Sequence, residues 1–261
     1  MSHLSDIGFR LSQEQYADLA MHAARQGQVL PGLHGTYIQW SPGEGIELWI
    51  QANKKKELIG CNPHFSGVSR MQMGVLHAIA VPEHPMDGCF YGWANPRDPK
   101  DPSSGDYLFA VDLPDFDFTR KRLPLPAIVT MQITAFAHTL ICYPDVAGYY
   151  GAQRSGPRFA TKSFAPASVL ESQEDLPRAE AMFNGHIRLV ERRLNPATNL
   201  SFYYLAVDTL GGMIDVVADR ELIEGEPKVG GIASGTFWLS GRVMSDLLAP
   251  EKQSLLRRRR V

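Results

Sequence analysis

The stretch Gly230–Val243, GGIASGTFWLSGRV, decides how the fold of this chain is read. It has four glycines, an adjacent Phe-Trp pair and no carboxylate, a composition that suits a strand coiling tightly around a small barrel. Its alternation puts Phe237 and Leu239 on the inward side and Trp238 outside. Working backwards, Phe183–Arg193, Phe202–Thr209 and Gly212–Ala218 read as strands, with a hairpin through Leu210-Gly-Gly212. In them Leu205, Val207, Ile214 and Val216 are expected to face inward. Phe202, Tyr204 and Trp238 are expected outside, with Asp208, Asp215, Arg188 and Arg192.

Further upstream, Ser5–Leu11 alternates with Ile7, Phe9 and Leu11 on one face and reads as a strand. Ser12 followed by Gln15 is a capping box. The helix it opens carries Tyr16, Leu19, Ala20, Ala23 and Ala24 on one stripe and stops at Gly27. Two strands follow, Thr36–Trp40 and Ile46–Gln51. From Val68 to Phe164 the pattern is strand-rich, and Ile128–Tyr143 is long enough to require a bend or a bulge. No internal repeat is visible. The acidic, proline-containing segment 166–180 reads as a linker. The expected organisation is therefore an α+β domain over 1–165, that linker, a barrel over 181–244 and a basic tail over 245–261.

The 261 residues are 44% apolar and 21% charged, so the chain buries a core without staples. A net charge of −2 provides no global field for nucleic acid, and the four arginines Arg257 to Arg260 are a local exception. Three scattered cysteines show neither a disulfide framework nor a zinc spacing. The N-terminus lacks the pattern of a signal peptide, and no window is apolar enough to span a membrane. A cytoplasmic protein is expected.

Two resemblances refine this outline. The strands from Phe183 to Val243, closing on VGGIASGTFWLSGRV, resemble an OB-fold, a five-stranded barrel. The pieces LSDIGFRL, the helix, GTYIQW and GIELWIQ resemble half of a glyoxalase-type (vicinal oxygen chelate) domain over 1–60, a βαβββ module extended by strands over 68–164. Metal enzymes of that family bind through a His on the first strand and a Glu on the last. Here Glu47 falls at the Glu place and Asp6 at the His place, and no second module follows. A lone module leaves a sheet edge open, which favours a homodimer. The combination resembles an uncharacterised bacterial family.

No nucleotide-binding, zinc-protease or serine-hydrolase motif occurs. Glu47, Trp49 and Gln51 share a strand face that could line a cleft; the plainer alternatives pair Glu47 with Arg10 or leave it exposed to solvent. His64 and Trp93 lie in turn-rich aromatic stretches that could stack on a ligand. His77 and His138 are the candidates for a metal, with Glu83 or Asp87, and the plainer alternative is core histidines. Phe202, Tyr204 and Trp238 could stack bases, with Arg257, Arg258, Arg259 and Arg260 holding phosphates. Cys61 and Cys89 lack an activating neighbour in sequence. The leading expectation is a non-enzymatic module binding a small ligand or protein, with no cofactor and no metal. The alternatives are a divergent glyoxalase-like metalloenzyme centred on Glu47 and weak single-stranded nucleic-acid binding.

Overall fold

The computed structural model describes residues 3–153, 158–167 and 177–244. It is a mixed α+β structure dominated by antiparallel strands. None of its helices is long and apolar enough to cross a membrane. The tail with Arg257–Arg260 and residues 168–176 of the expected linker lie outside the described residues.

Ser5–Ile7 forms a 3-10 turn rather than the expected strand. Gly8, at φ 80°, reverses the chain, so Ile7 and Phe9 both point into the protein without a ladder partner. Side chains satisfy the backbone instead: Asn195 Nδ2 donates to the Ile7 carbonyl (2.8 Å) and Thr198 Oγ1 to that of Gly8 (2.6 Å). The helix α1 (Gln13–Gln26) has the capping box read from Ser12 and Gln15. Four antiparallel strands follow in sequential order, β1 (Gln28–Pro31), β2 (Gly35–Gly43), β3 (Ile46–Asn53) and β4 (Leu58–Phe65).

The second sheet contains β5 (Met71–Val81), β6 (His84–Ala94), β7 (Leu108–Asp112), β8 (Ala127–Tyr143), β9 (Ser163–Pro166), β10 (Glu180–Leu194), β11 (Ser201–Thr209), β12 (Gly212–Ala218), β13 (Ile223–Gly225) and β14 (Ile232–Val243). Short helices α2 (Phe116–Arg120) and α3 (Val146–Ala152) follow β7 and β8. Its pairings close two rings that share the β8–β14 ribbon. One runs β5-β6-β7-β14-β8, with β7 parallel to β14 at Asp112–Ser240. The other runs β10-β11-β12-β8-β14, with β12 parallel to β8. Each ring is a three-strand meander followed by a helical turn and one of the shared long strands. The order repeats in space although no repeat is legible in sequence.

The segments expected as separate domains therefore share one sheet. One apolar core runs through both rings, from Met73, Phe90 and Phe109 to Phe183, Ile214 and Phe237. The long strand β8 is continuous, and its register against β14 shifts at Thr236/Phe237, where His138 is the extra residue. Gly235 faces this bulge. A Cβ there would lie 2.1 Å from the Thr139 carbonyl, so the glycine permits the close approach.

The four-stranded sheet covers the outside of the second ring. Ile46, Leu48, Ile50 and Phe65 pack with Phe136, Phe202, Tyr204 and Val217, and Ile38 and Trp40 take the apolar stripe of α1. Strand β3 is buried on both faces, because Trp49 packs with Tyr37 and Met86 on the opposite side. Phe202 and Tyr204, expected on an outer surface, are fully buried under this cover. Asp215, expected beside them, is also fully buried.

Candidate functional site

The turn at Ser5–Ile7, the start of α1, strand β4 and Trp238 of β14 enclose a groove of about 760 Å³. Its walls are mainly apolar: Leu4, Phe9, Leu11, Tyr16, Pro63 and Trp238. Arg10 lies on the rim but is already neutralised. Its guanidinium donates to Asp219 at 2.6 and 2.9 Å and to Glu221 at 2.8 Å, which raises its pKa and clamps the N-terminal segment to the sheet. Tyr16 and Cys61 are hydrogen-bonded inside the groove. Burial pushes the Cys61 thiol up to about 11 and the Tyr16 hydroxyl to about 12, so neither is an activated nucleophile at neutral pH.

Trp238 divides this groove from a smaller cavity of about 130 Å³, whose lining includes Asn62, Asp87, Asp112, Leu113 and Ser240. The Trp238 indole stacks against His3 with ring centroids 4.9 Å apart. Its Nε1 donates to Asp112 Oδ2 at 2.7 Å. Asp87 Oδ1 accepts from Gln51 Nε2 (2.5 Å) and Asn62 Nδ2 (2.9 Å). Burial is the main cause that lifts the Asp112 carboxyl to about 6, and the charges of Asp87 and Glu180 add to it.

Below this cavity runs a buried polar chain. Gln132 Nε2 donates to the Phe65 carbonyl (3.1 Å) and to Asp215 Oδ2 (2.7 Å), so its Oε1 faces His64 Nε2 at 2.7 Å. That fixes the proton of His64 on Nε2 and leaves Nδ1 to accept from Ser240 Oγ at 2.9 Å. Burial, the largest cause, pushes the His64 imidazole down to about 4. Asp215 accepts from Tyr204 OH, Gln132 Nε2, both the N–H and the hydroxyl of Ser69, and the N–H of Val68. This chain ties β4 and the β4–β5 connection to both rings.

The structure separates the residues expected to act together. Glu47 does not meet Arg10; it accepts from Trp49 Nε1 (2.9 Å) and Arg242 Nη1 (3.2 Å). The Arg242 guanidinium also lies over the Trp49 ring at 4.7 Å. Glu47, Trp49 and Gln51 therefore form a packed seam and do not line the groove, and His64 is enclosed beneath it. Trp93 lies on β6 between Gly74 and Leu108, away from both cavities.

Asp6 accepts from the Asp219 N–H (3.2 Å) and lies 3.4 Å from His3 Nδ1, and its carboxyl is raised by burial. His77 and His138 are exposed, on stretches of β5 and β8 that run in opposite directions from their paired segments. Partial desolvation of its ring, and then the neighbouring His3 ring 5.0 Å away, lower the pKa of His138. Among the described residues no group of three or more His, Cys, Asp or Glu is arranged to hold a metal ion. Of the three aromatics expected to stack bases, only Trp238 reaches a cavity. Phe9 and Tyr16 line the groove although strand and helix periodicity alone place them in the core.

Comparison with protein-family models, curated proteins and solved structures finds no match to this chain. The fold defines an α+β protein of mostly antiparallel strands, with a groove between a helical layer and a doubly ringed sheet.

Proposed function

We propose that this protein is a non-enzymatic binding protein whose small ligand occupies the groove between α1, β4 and Trp238. The observation that carries this reading is the groove itself, of about 760 Å³ and walled by Phe9, Leu11, Tyr16, Pro63 and Trp238. That size and lining suit a molecule with a flat apolar body. The reactive groups nearby support binding over catalysis: the Cys61 thiol is held protonated and His64 is committed to Ser240 and Gln132. Free thiols at Cys61, Cys89 and Cys142 accord with a reducing, cytoplasmic compartment.

The order of the second ring, a meander closed by a parallel pairing of β12 with β8, supports the OB-like reading, with β8 supplied from earlier in the chain. The metalloenzyme alternative has less support, because Glu47 is engaged by Trp49 and Arg242 and Asp6 by Asp219. Nucleic-acid binding on the barrel has less support too, because Phe202 and Tyr204 are covered.

The test uses the neutral fluorophore N-phenyl-1-naphthylamine. It should bind the full chain at one site with enhanced emission. Leu11→Trp, which fills the groove from its wall, should weaken binding at least tenfold with an unchanged circular dichroism spectrum. Equal binding by the folded variant would overturn the reading.

A further inference from the structure

We infer that the groove takes an organic cation, a primary or secondary amine whose ammonium enters the small cavity between Asp87 and Asp112 while its apolar body lies along Phe9, Tyr16 and Trp238. The inference rests on the groove being the binding site and adds the charge of the ligand. The two carboxylates come together through the pairing of β6 with β7. Asp112 lies opposite Cys89, and Asp87 is two residues from Cys89 on the same face. Such diagonal neighbours are roughly 7 Å apart, a spacing that one ammonium group can bridge with hydrogen bonds to both.

Among the described residues each carboxylate has an oxygen without a donor. Both amides that reach Asp87 bind its Oδ1, and the Trp238 indole takes only Oδ2 of Asp112. Neither residue forms an ion pair among the described residues, whereas Asp208 and Asp219 are met by arginine or lysine. The charges that bear on Asp112 are Asp87 and Glu180, both negative. A part-buried pair of like charges with no counter-ion is an unfavourable arrangement that a cationic ligand relieves. Trp238 and Asn62 line both spaces, so the two adjoin, and the ligand would pass the edge of Trp238 to reach both.

Titration calorimetry on the full chain at neutral pH separates the possibilities, with 2-phenylethylamine, 2-phenylethanol and 3-phenylpropanoate as probes. The amine should bind at least tenfold more tightly than the alcohol, and the acid more weakly than either. Asp112→Asn, which retains the acceptor for Trp238, should bring the amine to the level of the alcohol and change the alcohol less than twofold. Asp87→Asn should act in the same direction. An amine no tighter than the alcohol overturns the inference, and so does an advantage that survives both substitutions. Calcium or magnesium at millimolar concentration should leave amine binding unchanged; competition would make the cavity a metal site and overturn it as well. Failure of the groove reading looks different: Leu11→Trp would then leave the binding of amine and alcohol alike untouched.

Discussion

Replacing Asp215 by Asn tests whether the polar chain below the cavity holds the layers together. The carboxylate is fully buried and accepts from five donors on three separate segments: Val68 N, Ser69 N, Ser69 Oγ, Gln132 Nε2 and Tyr204 OH. Asparagine keeps the volume but turns one acceptor into a donor. If its NH₂ points to the Oδ2 side, it faces Gln132 Nε2 and the Ser69 N–H. On the Oδ1 side the Val68 N–H keeps the Tyr204 oxygen as an acceptor at 3.2 Å, but the Tyr204 proton loses Asp215. Either orientation strands at least one buried donor at about 1–3 kcal/mol and removes the charge from the remaining bonds, each worth about 1.5–3 kcal/mol when charge-assisted. Allowing for relaxation, the expected loss is about 3–5 kcal/mol, or roughly 10 °C in Tm.

The control is Asp208→Asn on neighbouring β11. Asp208 pairs with Lys162 and Arg188 at the surface, and those pairs lower its pKa against the raising effect of burial. Solvent screening limits the cost there to about 1 kcal/mol. Urea titrations followed by tryptophan emission give both values from midpoint and slope. A loss below 1 kcal/mol for Asp215→Asn, or equal losses for the two variants, would refute the network argument.

Three other outcomes are expected. Gly67→Ala should destabilise by about 1–3 kcal/mol, because a Cβ there would lie 2.2 Å from the Asp215 carboxyl carbon; a neutral result in the same titration would mean that the connection moves freely. Phe237→Ala should cost about 3–5 kcal/mol and more than Trp238→Ala, since Phe237 is fully buried and stacked on Phe183 at 4.1 Å while Trp238 is only half-buried. Reversed midpoints would contradict that facing. The Asp112 carboxyl, raised from 3.8 to about 6, binds a proton in the folded state where the unfolded chain has lost it. The stability it contributes is therefore complete below pH 3.8 and lost as pH rises through about 6, about 3 kcal/mol in all. Asp112→Asn should remove that loss, so the gap between variant and parent should widen in favour of the variant from pH 4.5 to 7.5; a gap independent of pH would show that Asp112 titrates normally.

The local elements are written in short stretches of the chain. The capping box at Ser12, the stripe through Tyr16 and Ala23, the hairpin of β2 and β3, the length of β8 and the inward facing of Phe237 and Leu239 all follow from short-range patterns, and the structure has them. Periodicity reports which face of an element is apolar, but not what covers the other face. Phe202 and Tyr204 alternate with Leu205 and Val207 as an outer face should, yet the four-stranded sheet buries them. That β8 and β14 serve two rings is written in no local pattern, because parallel pairings such as Asp215 with Thr134 join residues far apart in the chain.

The site follows the same division. Glu47 was legible as a strand-face carboxylate, but its partner Arg242 is 195 positions away and nothing local selects it over Arg10. Asp87 is legible only as a candidate partner for His77 and His138, and nothing local marks Asp112; they share a cavity because β6 pairs with β7. Ser5–Leu11 shows the opposite case, in which the strand-like spacing of Ile7 and Phe9 is overridden by a left-handed Gly8 and by side-chain bonds from Asn195 and Thr198. Hydrophobic burial is non-directional and leaves its period in the sequence. Charge pairing and strand register depend on which distant segment arrives, and that is settled only when the chain has folded.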